Sequence, residues 1–262
     1  MDLSVVIPVY NGAAFVAERL GLLSEALERS GLDYELLAVD DGSPDATARV
    51  LEGLKLPRFR PLLGLGHHGK FGALKRGVAA TRGRCVLFTD ADVPYELAAV
   101  PYFARTILEG GFHLVVGDRT LAESSYAKDM PFVRRAATHA FTFLLRVLFT
   151  GGLHDTQCGL KAFRGDVARA LFPLLVEEGF AGDVEALYVA LKYNLAIRRA
   201  PVRLRFQGPT TVSAFKHGLG MLAAVGRVRR RFGRGAYASP ELAELARQDY
   251  WAAAAAHGRA AP

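Results

Sequence analysis

Two hydrophobic patterns alternate along the first half of the chain. Short, continuous apolar runs predict buried strands, and apolar residues that recur every three or four positions predict amphipathic helices. The predicted strands are 3–9, 36–39, 85–89 and 113–116, and the predicted helices are 13–29, 45–54, 69–81 and one that begins at about residue 95. Strands and helices in this alternation indicate right-handed crossovers and an α/β fold with a mostly parallel sheet flanked by helices.

The second half of the chain has a less regular pattern. Its features are an aromatic- and arginine-rich stretch at 131–150, a short helix at 166–176 broken near Pro173, an amphipathic helix at 183–195 and an alternating strand at 200–206. The sequence has no internal repeat and no obvious linker. We therefore expect one domain over residues 1–235, followed by a tail over residues 236–262.

Polar residues follow three of the predicted strands at their carboxyl ends. They are Tyr10 and Asn11 after the first strand, Asp40 and Asp41 after the second, and Asp90 and Asp92 after the third. In a parallel sheet, ligands bind in the crevice beyond the carboxyl ends of the strands. The sequence therefore predicts that these side chains meet in one binding crevice.

Two aspartates one residue apart, Asp90 and Asp92, are the sharpest local feature. Both carboxylates can reach one divalent ion, directly or through water. Mg²⁺ and Mn²⁺ prefer oxygen ligands and keep several waters, so two carboxylates and a substrate diphosphate are a sufficient ligand set. Turn residues that cap the following helix would have the same character, and the pair alone does not separate the two interpretations.

Two further segments have the composition of a nucleotide site. At 40–45, carboxylates can accept hydrogen bonds from a base or a ribose, and Gly42 lets the backbone approach a ligand closely. Asp45 in the same turn also fits the N-cap of the next helix. Lys70 stands at the predicted start of a helix, where backbone N–H groups and an ammonium together suit a phosphate.

The net charge of +7 indicates an anionic partner, for which a nucleotide, a phospholipid surface and a nucleic acid all qualify. Cys85 and Cys158 lie far apart without metal-ligand spacing, which favours a reduced, intracellular chain. The apolar run 3–9 lacks the basic segment of a signal peptide. The stretch 136–153 contains a histidine and an arginine, so it falls short of a span of ~20 apolar residues. We expect a cytoplasmic protein that does not span a membrane.

The first half of the chain resembles family-2 glycosyltransferases in four ordered motifs, which read VVIPVYNG, DDGSPDAT, GKFGALKRGVAATRG and VLFTDADV. The resemblance implies a GT-A-type fold, with a nucleotide-binding half at 1–118 and an acceptor-binding half at 119–235. It implies a nucleotide pocket lined by Pro8, Tyr10, Asn11, Asp40, Asp41, Ser43, Lys70 and Asp90, and a Mg²⁺ or Mn²⁺ ion held by Asp90 and Asp92. The chain departs from the family at His67 and His68, where Asn-x-Gly is usual, and at Phe71, where a glycine is usual.

Three motifs in the second half are similar to one branch of the family. Residues 155–163 (DTQCGLKAF) look like the DTQCGFK-type motif of dolichyl-phosphate glucosyltransferases and related polyprenyl-phosphate hexose synthases. The turn 117–119 and the acidic helix start 182–185 also match, and dolichyl-phosphate mannose synthases share a related pattern. The resemblance implies an inverting transfer of a hexose, glucose from UDP-glucose, to a polyprenyl or dolichyl phosphate. It implies no nucleic-acid partner.

A lipid phosphate acceptor would already be anionic near neutral pH, so it would need positioning and charge neutralisation more than a general base. Guanidinium and amide groups suit that task. The candidate acceptor-phosphate ligands are Arg119, Arg134, Arg135 and Gln157. The candidate catalytic residues are Asp155, Asp92 and Arg119. If the acceptor were a hydroxyl, Asp155 or Asp183 would act as base, although an acid in the first turn of a helix also suits the helix dipole.

The segment 215–234 predicts a basic amphipathic helix. Its apolar residues recur at steps of three and four, and its lysine and arginines lie mostly off that stripe. Such a helix can lie in an anionic membrane interface, where each basic residue contributes ~1 kcal/mol. Packing of the apolar stripe on the core, with a solvated basic face, fits the pattern equally well.

Three other functions fit parts of the sequence. A family-2 transferase that acts on a soluble or protein hydroxyl would keep the same donor site. A nucleotidyltransferase would need a glycine-rich, arginine-containing loop after the first strand, where residues 8–12 read PVYNG instead. A basic nucleotide- or nucleic-acid-binding module without catalysis would explain the charge, but acids at three strand ends would repel phosphates without a metal.

Overall fold

The computed structural model describes residues 1–64, 66–124, 155–179, 181–205 and 214–248. Its strands are β1 (Leu3–Val9), β2 (Tyr34–Asp40), β3 (Phe59–Leu62), β4 (Cys85–Phe88), β5 (Leu114–Asp118), β6 (Lys161–Arg164) and β7 (Ile197–Pro201). Its α-helices are α1 (Val16–Arg29), α2 (Thr47–Gly53), α3 (Gly69–Ala79), α4 (Ala99–Gly110), α5 (Gly165–Leu171), α6 (Ala181–Lys192), α7 (Ala214–Gly233) and α8 (Pro240–Arg247). A short 3₁₀ helix, Phe172–Leu174, follows α5.

The strands of the described residues form one mixed sheet in the order β3-β2-β1-β4-β6-β5-β7. β6 is antiparallel to both of its neighbours, and the other neighbouring strands are parallel. The parallel register places Val9 beside Asp40 and Val6 beside Phe88, so the carboxyl ends of β1, β2 and β4 lie at the same edge of the sheet. The prediction of a mostly parallel sheet flanked by helices is confirmed.

Helices cover both faces of the sheet, because the central strands are apolar on both sides. Successive side chains of a strand point to opposite faces, and β1 contributes to two separate cores for this reason. Val6 packs in one core with Phe71 of α3. Val5 packs in the other core with Leu20 of α1 and Phe103 of α4.

Three strands differ from the hydrophobic prediction. Phe59–Leu62 and Lys161–Arg164 were not predicted, because four-residue strands that contain arginine, lysine or proline give little hydrophobic signal. The strand expected at 200–206 is Ile197–Pro201 instead. This strand lies at the edge of the sheet, where Arg198 and Arg199 can reach solvent and interrupt the apolar pattern.

Three helices begin later than the sequence predicts, and the helix expected from residue 13 begins at Val16. The helix expected from about residue 95 begins at Ala99, because Tyr95 pairs with Leu204 in an isolated β-bridge. The helix expected from Asp45 begins at Thr47. Asp45 therefore precedes the N-cap residue, Ala46, instead of being the N-cap itself. Its carboxylate still accepts a hydrogen bond from the Thr47 N–H, the first N–H of the helix, at 3.0 Å.

Part of the segment expected as a tail packs on the core. Within it, Pro240–Arg247 is a helix, and the Ser239 hydroxyl accepts a hydrogen bond from the Leu242 N–H at 3.1 Å. The side chains of Leu242 and Tyr237 are buried. Among the described residues, no helix is both long enough and apolar enough to cross a bilayer.

Candidate nucleotide and metal site

The loops after β1 and β2 form one side of the crevice at the carboxyl edge of the sheet. Ser43 joins them, because its N–H donates to Asp40 Oδ1 at 3.3 Å and its hydroxyl accepts from the Asn11 N–H at 3.0 Å. Gly42 has a φ of +72°, in the left-handed region that favours glycine. The Tyr10 ring is exposed on this side, and Asp40 is buried. An exposed aromatic ring and a buried carboxylate on adjoining loops suit the face and the polar edge of a base.

Asp41 is bound by the two histidines that depart from the family pattern. The Asp41 carboxylate accepts a hydrogen bond from the His68 N–H at 2.9 Å and lies 2.9 Å from His67 Nδ1. The His67 ring also lies against Tyr10, with 4.4 Å between the ring centroids. Sequence reasoning noted His67 only as a departure from the family, and the structure places it among the predicted nucleotide residues.

Asp90 and Asp92 follow β4 at the same edge. The Val93 N–H donates to the Asp90 carbonyl at 3.0 Å, which closes the turn that carries both carboxylates. Partial desolvation and the nearby Asp90 charge raise the pKa of Asp92, as expected for two carboxylates that share one site. No group of three or more histidine, cysteine, aspartate or glutamate side chains among the described residues could hold a metal. Two carboxylates alone are a ligand set that a hard cation completes with oxygen atoms from a substrate and water, which is the arrangement that the sequence predicts here.

Gly159 packs directly against the carboxylate of Asp90. A Cβ atom at residue 159 would lie 1.8 Å from Asp90 Oδ2, so only glycine fits there without displacing the carboxylate. The hydroxyl of Tyr95 accepts a hydrogen bond from the Gly159 N–H at 2.9 Å and contacts Cys158 Sγ at 3.4 Å. Tyr95 was not predicted as a site residue, and it fixes the loop of the DTQCG motif against the turn that carries Asp90.

A chain of alternating charges runs from the crevice into the core. Lys70 Nζ lies 2.8 Å from Asp90 Oδ1 and 3.6 Å from Asp183 Oδ2, and Lys161 Nζ lies 2.5 Å from Asp183 Oδ1. Lys161 and Asp183 are buried. Desolvation is the largest single effect and raises the pKa of Asp90, but the positive charges of Lys70, Lys161 and Arg119 together lower it below the usual value. Lys161 was not predicted from the sequence as a site residue, although it lies within the DTQCGLK motif.

Arg119 and Asp155 form a two-point ion pair. Arg119 Nε lies 2.6 Å from Asp155 Oδ2, and an Arg119 terminal nitrogen lies 2.8 Å from Oδ1. The backbone N–H groups of Arg119 and Gln157 also donate to this carboxylate, at 3.0 and 3.2 Å. Desolvation is the largest single effect and raises the pKa of Asp155, but the side chain and backbone N–H of Arg119 and the charge of Lys161 together lower it below the usual value. Asp155 thus orients a guanidinium, and its oxygens are already engaged.

The structure brings most of the predicted site residues to one edge of the sheet, with Pro8 inside β1 beside Val39. Positive charge on Arg119 contributes to the lowered pKa of Asp90, so the Arg119–Asp155 ion pair lies near enough to act on that carboxylate. Arg134 and Arg135 lie outside the described residues. The aromatic- and arginine-rich stretch 131–150 lies there too.

The buried carboxylate of Glu185 belongs to a set of contacts that connect α7 to the core. Glu185 accepts hydrogen bonds from the Val176 and Glu177 N–H groups at 2.9 and 2.8 Å and from the Tyr237 hydroxyl at 2.5 Å. The Glu177 side chain in turn binds Arg227 and Arg231 of α7, each at 2.7 Å. Val225 and Val228 of the same helix are buried, so the second half of α7 packs on the core.

Comparison with known proteins connects this geometry to glycosyl transfer. The chain is 31% identical over 243 residues to a dolichyl-phosphate beta-glucosyltransferase of Dictyostelium discoideum, covering 88% of this chain and 74% of the relative. It is 29% identical over 215 residues to the enzyme of that name from Homo sapiens, covering 77% of this chain and 66% of the relative.

Solved structures share the fold at lower sequence identity. Glucosyl-3-phosphoglycerate synthase from Mycobacterium tuberculosis, solved with Mn²⁺, UDP and phosphoglyceric acid, superposes with a TM-score of 0.66 at 20% identity over 87% of this chain and 78% of that one. Mannosyl-3-phosphoglycerate synthase from Rubrobacter xylanophilus gives 0.66 at 21% identity over 89% and 75%. These similarities confirm the expected GT-A-type fold. Residues 4–172 match the profile of glycosyl transferase family 2, so the chain belongs to that family of enzymes.

Proposed function

We propose that this protein transfers glucose from UDP-glucose to a polyprenyl or dolichyl phosphate, with Mg²⁺ or Mn²⁺ and with inversion at the anomeric carbon. The observation that carries the proposal is the meeting of two elements at one sheet edge: the Asp90–Asp92 turn and the Arg119–Asp155 ion pair. In this proposal the two carboxylates of the first bind the cation, and the guanidinium of the second binds the acceptor phosphate. The names of the dolichyl-phosphate relatives support the same acceptor class.

The donor side needs groups for a base, a ribose and a diphosphate. In this proposal Tyr10 stacks on the base, and the carboxylates of Asp40 and Asp41 hold its polar edge and the ribose. A cation held by Asp90 and Asp92 would act as a Lewis acid and stabilise the negative charge of the departing nucleoside diphosphate. Pro8, Asn11 and Ser43 shape the same pocket.

The acceptor side needs charge neutralisation and alignment. Arg119 is held by Asp155 at two points, so its guanidinium is fixed before a phosphate arrives, which lowers the cost of ordering it on binding. Arg134, Arg135 and Gln157 complete the proposed phosphate site. A phosphate oxygen that is already anionic needs no general base, and Asp155, whose oxygens are engaged by four donors, is suited to orienting Arg119 instead.

Asp183 has a supporting role in the proposal. Its carboxylate is buried between Lys161 and Lys70, so it holds these ammonium groups in place and does not take a proton from an acceptor. We also propose that the enzyme works at the cytoplasmic face of a membrane, bound peripherally through the basic face of α7.

Turnover of sugar nucleotides by the purified protein tests the proposal. A panel of UDP- and GDP-sugars is incubated with Mg²⁺ or Mn²⁺, with and without a short polyprenyl phosphate. The expected result is consumption of UDP-glucose only with the lipid phosphate, and its loss in Asp92→Asn. Asp33→Asn is the matched control, because Asp33 is exposed and precedes β2 at the opposite edge of the sheet.

Two results would contradict the proposal in different ways. Turnover that is independent of the lipid phosphate would refute the assignment of a lipid phosphate as the acceptor. It would favour a hydroxyl acceptor and leave the proposed donor site unchanged. Absence of binding of every sugar nucleotide would refute the donor site itself.

A further inference from the structure

The Lys70 ammonium lies beside Asp90, where the proposed divalent metal ion would bind. Its Nζ lies 2.8 Å from Asp90 Oδ1, and its side chain is 14% exposed, so it is held inside the crevice. Lys70 is the second residue of α3, and the next N–H of that helix, from Phe71, already donates to the Glu178 carbonyl at 2.7 Å, so the ammonium itself is the group that can meet an anion. The same side chain thus faces a carboxylate that is proposed to bind metal and lies where a phosphate is proposed to bind.

Asp183 does not require Lys70 as its counter-ion. Lys161 is fully buried, and its ammonium contacts Asp183 Oδ1 at 2.5 Å and donates to the Cys158 carbonyl at 2.6 Å. Because Lys161 already balances Asp183, the charge of Lys70 is left to balance Asp90. Asp183 lies 3.6 Å from Lys70, so the ammonium still has a carboxylate nearby when it moves away from Asp90.

We propose that Lys70 is an exchangeable counter-ion: it neutralises Asp90 in the free protein and moves onto the donor diphosphate when nucleotide and cation bind. This inference rests on the proposed function. A divalent cation entering alone would have to share Asp90 with an ammonium of the same sign, so the free protein has low affinity for it. A diphosphate offers Lys70 a second anion and releases Asp90, so nucleotide and cation enter together.

Binding of Mn²⁺ in the absence of nucleotide tests the exchange without any turnover. Free Mn²⁺ is measured by electron paramagnetic resonance during titration of the protein, and UDP affinity is measured by calorimetry at saturating Mn²⁺. Lys70→Met and Lys70→Gln are expected to bind Mn²⁺ alone at least about tenfold more tightly than the wild type, because a competing charge is gone. The same variants are expected to bind UDP at least about tenfold more weakly, because a charge-assisted contact is lost.

The controls separate this role from a general effect of removing a lysine. Lys75→Met removes another ammonium from α3, one that donates to the Leu175 carbonyl at 2.6 Å, and it should change neither affinity. Lys70→Arg keeps the charge and should restore weak Mn²⁺ binding. Lys70→Gln keeps a donor for Asp90, so the measurement does not depend on the methionine variant being folded.

The outcomes distinguish this inference from the proposed function. Unchanged or weaker Mn²⁺ binding by folded Lys70→Gln would overturn the exchange and leave the proposed donor site standing. Failure of the wild-type protein to bind UDP with Mn²⁺ would overturn the proposed function and the diphosphate half of the exchange together. Tighter Mn²⁺ binding combined with weaker UDP binding would support both.

Discussion

Replacement of Lys161 by methionine should destabilise the protein through charge rather than through volume. Methionine fills a similar space, but it leaves the Asp183 carboxylate without the ammonium that contacts it at 2.5 Å. It also leaves the Cys158 carbonyl without its donor at 2.6 Å. Both Lys161 and Asp183 are at most 1% exposed, so water cannot replace the lost partner.

The expected cost follows from this burial. Loss of one partner of a buried ion pair costs about 3–5 kcal/mol. Lys70 remains 3.6 Å from the other Asp183 oxygen and compensates in part, so we expect a loss of about 3 kcal/mol. For a chain of this size, that corresponds to a decrease in Tm of roughly 6–12 °C. The double variant Lys161→Met/Asp183→Asn buries no unpaired charge and should lose less than Lys161→Met alone.

Urea unfolding followed by far-UV circular dichroism measures both free energies of unfolding. Lys55→Met is the matched control, because Lys55 is exposed, and it should change the free energy of unfolding by no more than about 0.5 kcal/mol. A loss below about 1 kcal/mol in Lys161→Met would refute the reasoning, since it lies well under the cost of breaking a buried pair. A double variant less stable than Lys161→Met would refute it as well.

Three further predictions concern the site, the core and the membrane. Gly159→Ala places a Cβ 1.8 Å from Asp90 Oδ2, so it should weaken Mn²⁺-dependent UDP binding at least about tenfold by calorimetry and lower stability by about 1–3 kcal/mol. Burial, and then the nearby Arg164 charge, lower the pKa of His113, so the unfolded chain binds more protons below about pH 6.5. The free energy of unfolding should therefore decrease as the pH falls through that value. Arg230→Glu/Arg234→Glu should reduce co-sedimentation with anionic vesicles, because each basic residue contributes ~1 kcal/mol near such a surface.

Each of these has its own control. In α7, Gly226→Ala meets no atom within 4 Å and should leave UDP binding unchanged; equal losses in both glycine variants would refute the close-contact argument. His113→Gln does not titrate, so a pH slope as steep as that of the wild type would assign the slope to other groups. Equal pelleting of the arginine variant and the wild type would refute surface binding through the second half of α7.

The sequence predicted the positions of the elements that carry the crevice because those elements are strongly patterned. β1 and β2 are apolar runs that lead into polar residues, and parallel pairing of such strands brings their ends together. The aspartate pair could be located for the same reason: it follows the apolar strand β4. A single lysine in an otherwise apolar segment, such as Lys161, does not alter the hydrophobic periodicity. Its role as the counter-ion of Asp183 could therefore not be predicted from the sequence, because that pairing is visible only in the folded structure.

Contacts between distant parts of the chain account for the remaining differences. The pairing of Asp155 with Arg119 joins residues 36 positions apart, so the sequence suggested an available carboxylate where the structure has an engaged one. His67 meets Tyr10 and Asp41 only because the loop before α3 folds back over β1 and β2. The sequence motifs name candidate residues such as Asp155 and Asp41, and only the folded contacts show which partners each of them has.

The antiparallel strand β6 has a consequence for how this fold can diversify. β5 ends at Asp118, and β6 begins at Lys161 next to Val116, so the end of one strand and the start of the next lie together at the crevice edge. The segment between these two strands therefore has both of its ends held in neighbouring strands of the same sheet. A segment anchored in this way can change in length and sequence while the strands on either side keep their register. Variation between relatives can therefore concentrate there without disturbing the sheet edge that carries Asp40 and Asp90.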